Sequence, residues 1–145
     1  EKIFSNQELL IIKEDVNLQS KAIQQDELAA VLHQADILSI HLPLLPETKN
    51  IISAKELSLL KPSVSIINTA RGGIVNEPSL HTFLLDNPNA FAAFDVYAEE
   101  PALENQLFEL PNFFGTSHRS SLTDEGIRAM GLAAIAGLDD NKILT

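Results

Sequence analysis

The 145-residue sequence contains no cysteine and no tryptophan, and none of its six glycines precedes Gly72. Without cysteine, neither a disulfide nor a thiolate zinc site can form. The apolar runs fall well short of the roughly 20 residues that cross a bilayer. No basic segment followed by an apolar one opens the chain, as a secretory signal would require. These absences favour a soluble intracellular domain, with the cytoplasm as its expected location.

The charge is also unbalanced, with 10 Lys and Arg residues, 20 Asp and Glu residues and a formal net charge of −10. An acidic surface repels phosphate backbones and anionic lipids, which argues against a nucleic-acid or membrane partner. Hydrophobic residues make up 45% of the chain, enough to form a core. The length suits one domain, and no internal repeat, low-complexity tract or Gly/Ser linker divides it.

Short apolar runs alternate with helical patterns along the chain. The predicted strands cover residues 8–14, 36–42, 64–68, 90–96 and 113–116, and the predicted helices cover residues 26–34, 54–60, 77–85 and 123–140. Asp26, Ser53 and Asn76 stand where they can cap the first three helices. The three middle strands are largely apolar, which is typical of strands covered on both faces. This alternation predicts a parallel α/β sheet with right-handed crossovers.

The last four predicted strands each lead into a distinctive cluster of residues. These clusters run from His41 to Thr48, from Asn68 to Gly73, from Asp95 to Pro101, and through Ser117-His118. Ligands of open parallel sheets bind beyond the carboxyl ends of the strands. An arginine, a carboxylate and a histidine would therefore meet at one edge of the sheet. The arginine can hold a carboxylate with two hydrogen bonds, the histidine can transfer a proton near neutral pH, and the acid can orient the histidine.

Arg71 is the only Lys or Arg between Lys61 and Arg119, a stretch that holds seven acids. A lone cation after a buried strand, followed by two glycines, suits contact with an anionic ligand. The alternative is that Arg71 pairs with a neighbouring carboxylate at the surface. The residues alone leave both interpretations open.

Four motifs together resemble the D-isomer-specific 2-hydroxyacid dehydrogenases. They are H-x-P-x-x-P-x-T at 41–48, N-T-A-R-G-G-I-V-N-E at 68–77, F-D-V-Y-A-E-E-P at 94–101 and L-P-N…T-x-H at 110–118. The resemblance runs from about residue 22 to residue 137. It implies a Rossmann-like, doubly wound α/β fold and makes residues 1–145 part of the dinucleotide-binding domain of a two-domain dehydrogenase.

The resemblance also implies catalytic roles. Arg71 would bind the carboxylate and 2-oxygen of the substrate, and His118 would take or supply the hydroxyl proton. Glu100 would hold His118 by a hydrogen bond. A hydride would pass between the substrate and a nicotinamide cofactor, which would carry the hard chemistry.

Cofactor contacts follow from the same resemblance. Asp95 would hydrogen-bond the nicotinamide carboxamide. The backbone of Thr69 and Ala70 would approach the nicotinamide, and Leu42 and Pro43 would border the adenosine side. Arg71 and His118 would also lie against the cofactor, which is expected to be NAD, with NADP left open.

Several departures from the family pattern matter. The family's G-x-G-x-x-G loop lets backbone approach a pyrophosphate, and a chain without glycine before Gly72 lacks this loop. The strand before the loop and the N-terminal substrate domain are also expected to be missing. Ser117 replaces the family's proline, and Arg119-Ser120-Ser121 replaces the usual glycine. Glu14 or Asp15 could bind the adenosine ribose, although a surface role fits them better.

The missing first strand has a structural consequence. That strand lies at the centre of the doubly wound order 3-2-1-4-5-6, and its loss would leave the backbone edges of its two neighbours unpaired. If the chain folds alone, residues 8–14 are expected to pair where the first strand should lie. We therefore expect a fragment of a longer enzyme, or a degenerate copy, that is inactive by itself.

The sequence favours an oxidoreductase that acts on a small D-2-hydroxy acid or 2-keto acid, working as a homodimer. The alternative is a non-catalytic dinucleotide-sensing or protein-interaction domain derived from the same family. No two histidines have the i, i+4 spacing of a helical metal site, so no metal is predicted. His41 is expected to pack or form a hydrogen bond, and His33 and His81 to lie at the surface. Ser120 and Ser121 lack the G-x-S-x-G context of a hydrolase.

Overall fold

The computed structural model describes residues 9–13 and 25–139 of the chain. The strands are β1 (Leu9–Lys13), β2 (Ile37–His41), β3 (Ser65–Asn68), β4 (Phe91–Phe94) and β5 (Phe113–Gly115). The helices are α1 (Gln25–Leu32), α2 (Ala54–Leu57), α3 (Glu77–Asp86) and α4 (Asp124–Asp139), with a 3₁₀ helix at Gln106–Glu109. The predicted alternation of strands and helices is confirmed. Within these ranges, no helix is long and apolar enough to cross a membrane.

Local signals explain most of the helix boundaries. The Asn76 side chain accepts a hydrogen bond from the Ser79 backbone nitrogen (3.0 Å) and caps α3 as predicted. Glu56 accepts from the backbone nitrogen of Ser53 at the start of α2 (3.1 Å). The prediction that this helix reaches residue 60 is wrong, because α2 ends at Leu57. The chain there tightens into i to i−3 hydrogen bonds before Pro62.

The five strands form one parallel sheet in the order in which they occur along the chain. β1 pairs with β2 over its whole length, from Leu9 opposite Ile37 to Lys13 opposite His41. The edge of β2 that loss of the first strand would leave unpaired is therefore occupied by β1. This is the pairing expected for residues 8–14. The strand order does not reverse among the described residues, so they correspond to one half of a doubly wound sheet.

One face of the sheet is covered at β2, β3 and β4. Leu38, Ile66 and Ala92, at matching positions of β2, β3 and β4, are fully buried against the helices. On the opposite face, Phe91 and Phe114 are 41% and 58% exposed. The prediction that residues 90–96 form a strand covered on both faces is therefore wrong at β4. Right-handed crossovers between sequential neighbours place the connecting helices on the same side, which leaves the second face open here.

The last helix, α4, lies apart from the core. Ile127, Met130, Leu132 and Ile135 are each more than half exposed. A side chain at Gly131 or Gly137 would meet no atom within 4 Å in the described part of the chain. Among the described residues, no element packs closely against these two glycines.

Candidate functional site

The loops that follow β3, β4 and β5 come together at the carboxyl edge of the sheet. Gly72, in the loop after β3, packs directly against the backbone of Tyr97 and Ala98, after β4. The backbone nitrogen of His118, after β5, donates to the backbone oxygen of Asp95 (2.8 Å). The parallel arrangement thus brings three separate chain segments together, as the strand pattern predicts.

His118 and Glu100 form a pair at this edge. Nδ1 of His118 lies 2.8 Å from Oε2 of Glu100, and Oε1 of the same carboxylate accepts from the Tyr97 backbone nitrogen (3.0 Å). The hydrogen bond with His118, followed by that from Tyr97, holds the pKa of Glu100 below its ordinary value. Among the described residues, Nε2 of His118 has no protein partner. Glu100 therefore occupies one ring nitrogen and leaves the other available to a ligand.

Asp95, whose backbone oxygen accepts from His118, is 2% exposed. Its Oδ1 accepts from the Thr116 hydroxyl (2.5 Å) and the Arg119 backbone nitrogen (2.8 Å), and its Oδ2 accepts from the Ser120 backbone nitrogen (2.8 Å). Burial by itself would raise the pKa of this carboxyl, but the hydrogen bonds, led by that from Thr116, outweigh it and hold the pKa well below its usual range. The expected contact with a nicotinamide carboxamide stays a prediction.

Asn68 shapes the loop that carries Arg71. Its buried side chain accepts from the Ala70 backbone nitrogen (3.1 Å) and donates to the Arg71 carbonyl (3.0 Å). The exposed guanidinium of Arg71 donates to the Ala70 carbonyl (2.6 Å). It forms no ion pair with any acid among residues 9–13 and 25–139. The surface ion pair considered as the alternative for Arg71 is therefore not found in the described part of the chain.

A cleft of about 720 Å³ opens beside the pair. Glu100, His118 and Arg119 line it on the polar side, and Tyr97, Leu103 and Phe108 are among its apolar residues. Arg71 does not line this cleft. It lies in the adjoining loop, linked to the pair through the contact of Gly72 with Tyr97, and Tyr97 in turn donates to Glu100.

The remaining predicted cofactor residues lie at the same edge of the sheet. Leu42 is buried, Pro43 and Thr69 are exposed, and Ala70 is half-buried. The exposure of Thr69 and Ala70 suits the expected approach to a nicotinamide, while the contact of Leu42 and Pro43 with the adenosine side stays a prediction. The chain does not fit the pyrophosphate, because it has no glycine before Gly72 to let backbone approach a phosphate. The candidate ribose acids Glu14 and Asp15 lie outside the described residues.

Two anchoring residues were not foreseen. One is Asn68, and the other is Glu77, whose carboxylate accepts from the Ala98 backbone nitrogen (2.6 Å) and the Asn105 amide (2.7 Å). Asn68 does carry a sequence signal, as a polar residue that closes an apolar strand directly before a loop. Glu77 carries none, because its partners lie 21 and 28 residues away.

The other histidines have ordinary surroundings. His41 forms a hydrogen bond with Ser39 (2.8 Å), as expected, and His33 is exposed. His81, on α3, is half-buried rather than fully solvated. Within the described ranges, no three His, Asp or Glu side chains are grouped so that they could hold a metal ion.

Residues 8–120 match the family described as D-isomer specific 2-hydroxyacid dehydrogenase, NAD binding domain. The chain is 37% identical over 106 residues to D-3-phosphoglycerate dehydrogenase of Methanocaldococcus jannaschii, covering 73% of the chain and 20% of that protein. It is 38% identical over 107 residues to glycerate dehydrogenase of Methylorubrum extorquens, covering 72% of the chain and 34% of that protein.

Solved structures agree with these matches. The NAD-complexed D-isomer specific 2-hydroxyacid dehydrogenase of Lactobacillus delbrueckii ssp. bulgaricus superposes with a TM-score of 0.69 at 33% identity, covering 75% of this chain and 38% of that one. The α/β, Rossmann-like fold class is thereby confirmed. The chain spans about a fifth to a third of the length of the two curated relatives. It belongs to the D-isomer specific 2-hydroxyacid dehydrogenase family, whose NAD-binding domain matches residues 8–120.

Proposed function

We propose that this chain forms part of an NAD(P)-dependent dehydrogenase that interconverts small D-2-hydroxy acids and 2-keto acids. The observation that carries the proposal is the His118–Glu100 pair, with Nδ1 of the ring bound and Nε2 open to a ligand. Residues 1–145 would be part of the dinucleotide-binding domain of a two-domain enzyme. Relatives named as dehydrogenases of phosphoglycerate and glycerate support this reaction class.

The pair defines how a proton would move. With the Nδ1 proton donated to Glu100, Nε2 of a neutral His118 is an acceptor and can take the proton of a substrate hydroxyl. The resulting imidazolium is stabilised by the Glu100 carboxylate, which carries a negative charge because its pKa is lowered. In the direction of keto-acid reduction, the same Nε2 returns the proton to the developing alkoxide. Glu100 therefore fixes which ring nitrogen takes part.

Arg71 would hold the substrate. Its guanidinium can bind a carboxylate with two parallel hydrogen bonds, and it has no competing acid among the described residues. Asn68 fixes the backbone on both sides of this loop, so the arginine projects from a defined position. A nicotinamide cofactor, when bound, supplies the hydride chemistry. Thr69, Ala70, Leu42, Pro43 and Asp95 are the proposed contacts to it.

The proposal includes a homodimer, which rests on the family alone. It names a class of substrates and not one acid, because Arg71 and His118 would contact only features that all 2-hydroxy acids share. A cytoplasmic location and the absence of nucleic-acid and membrane partners are supported by the net charge of −10 and the lack of cysteine.

A chimera tests the function without the need for a dinucleotide loop in this chain. Residues 36–120, which carry the proposed site, replace the matching segment of the M. extorquens glycerate dehydrogenase, which supplies the rest of the enzyme. We expect glycerate-dependent reduction of NAD, followed by absorbance at the NADH band. The isolated 145-residue chain is the matched control and is expected to show no turnover, because it lacks the glycine loop.

A chimera that folds, binds NADH and fails to turn over glycerate would contradict the proposal. That result would favour the dinucleotide-sensing alternative. Folding is checked by circular dichroism against the host enzyme, and NADH binding by calorimetry.

A further inference from the structure

The segment that carries His118 is attached to the protein mainly through one buried carboxylate. Thr116, Arg119 and Ser120 all donate to the side chain of Asp95, which is 2% exposed. The backbone nitrogen of His118 donates to the backbone oxygen of the same residue. Three donors that flank His118, and the backbone nitrogen of His118 itself, therefore converge on Asp95.

The segment has little else to hold it. Ser117, His118, Arg119 and Ser120 are all exposed. His118 has a φ of 50°, in the left-handed region that side chains other than glycine rarely adopt. A backbone in this region persists only when its surroundings fix it. The hydrogen bonds to Asp95 flank the strained residue and supply that constraint.

We propose that Asp95 is a positioning residue that holds His118 in register with Glu100. It would act by fixing the backbone on both sides of the histidine, so that Nδ1 meets Oε2 of Glu100. The inference deepens the proposed function, because it assigns the geometry of the proton-transferring pair to a third acid. This role is separate from the expected contact with the nicotinamide carboxamide, because it concerns the hydrogen bonds that Asp95 accepts inside the protein.

A carboxylate suits this position better than its amide would. Oδ1 accepts two hydrogen bonds and Oδ2 accepts a third. An ionised carboxylate accepts at both oxygens, whereas an asparagine accepts at one and donates at the other. Asp95→Asn would therefore set an N–H group against an N–H or O–H donor whichever way the amide is turned. Hydrogen bonds to the charged group are also stronger than those to a neutral amide.

The test uses the isotope-labelled 145-residue chain without cofactor or substrate. Proton NMR follows the His118 Hδ1 signal that the hydrogen bond to Glu100 shifts downfield, and hydrogen exchange follows the backbone amides of Arg119 and Ser120. The Thr116 amide is an internal reference, because it donates to Phe94 and not to Asp95. The variants are Asp95→Asn, Thr116→Val and Thr116→Ser, with Asp86→Asn as a charge-matched control at an exposed position.

We expect Asp95→Asn to lose the Hδ1 signal and to speed exchange at Arg119 and Ser120 about tenfold or more, as the loss of charged hydrogen bonds implies. Thr116→Val, which removes one hydroxyl, should show a smaller change in the same direction. Thr116→Ser restores the hydroxyl and should match the wild type, as should Asp86→Asn.

The inference is overturned if Asp95→Asn keeps the Hδ1 signal and the protection of both amides. Should that variant fail to fold, the threonine pair decides: equal behaviour of Thr116→Val and Thr116→Ser would also overturn the inference. Neither result bears on turnover in the chimera, so a failure here leaves the proposed function standing. A failed chimera likewise leaves the positioning role standing.

Discussion

Substitution of Gly72 by alanine is expected to lower the free energy of unfolding by about 3 kcal/mol or more. The new Cβ would overlap the carbonyl of Tyr97 and lie 2.6 Å from the backbone nitrogen of Ala98. These obstacles are backbone atoms, so no rotamer change can relieve the overlap. One of the two loops must move, and with it either Arg71 or Glu100. The effect is measured by urea denaturation at neutral pH.

Gly131→Ala is the matched control for this change. An added Cβ there meets nothing within 4 Å, and the residue lies inside α4. Alanine is favoured over glycine in a helix interior by roughly 1 kcal/mol, so this variant should be slightly more stable than the wild type. If Gly72→Ala instead unfolded at the same urea concentration as the wild type, the close packing of the loops after β3 and β4 would be wrong.

Substitution of His118 by glutamine in the glycerate dehydrogenase chimera is expected to lower kcat by about 1,000-fold. Glutamine keeps a hydrogen-bonding side chain of similar reach but cannot exchange a proton near neutral pH. Glu100→Gln should cause a smaller fall, because it leaves the imidazole in place and removes only the acceptor that fixes its ring nitrogens. Steady-state kinetics with glycerate and NAD measure both effects.

The control for these two variants is Glu99→Gln, which removes a neighbouring exposed acid. It should leave kcat and KM unchanged, since the resemblance assigns the role to the acid that directly precedes Pro101. Equal losses in Glu99→Gln and Glu100→Gln would show that net charge, and not the hydrogen bond to His118, governs the rate.

The positions of the strands and of two helices could be predicted, because neighbouring residues in the sequence determine them. The apolar runs and the Asn76 cap place each strand, and α3 and α4, within a few residues of their observed ends. Coverage of the sheet could not be predicted this way. The apolar composition of residues 90–96 does not reveal which elements pack on the strand. It therefore could not predict that Phe91 is exposed on the second face of the sheet.

The candidate site likewise has one part that the sequence predicts and one part that it does not. The approach of the loops that carry Arg71, Glu100 and His118 follows from the parallel strands, whose carboxyl ends share one edge. The partners of Asp95 could not be predicted, because they lie 21 to 25 residues along the chain and depend on the register of β4 against β5. That register places Phe94 opposite Gly115. The next residues of the two segments are Asp95 and Thr116, which form a hydrogen bond. Long-range hydrogen bonds of this kind leave no periodic mark in a sequence.

The proposed site requires Arg71, after β3, and His118, after β5, to lie close together at the carboxyl edge of the sheet. The natural absence of cysteine allows a direct measurement, intramolecular cross-linking of an Arg71→Cys/His118→Cys double variant with a short bismaleimide, read by mass spectrometry. The control is Asp86→Cys/His118→Cys, in which Asp86 ends α3 after that helix has run back from the edge. We predict efficient cross-linking in the first variant and none in the second. Absence of cross-linking in the Arg71→Cys/His118→Cys variant would contradict the proposed site.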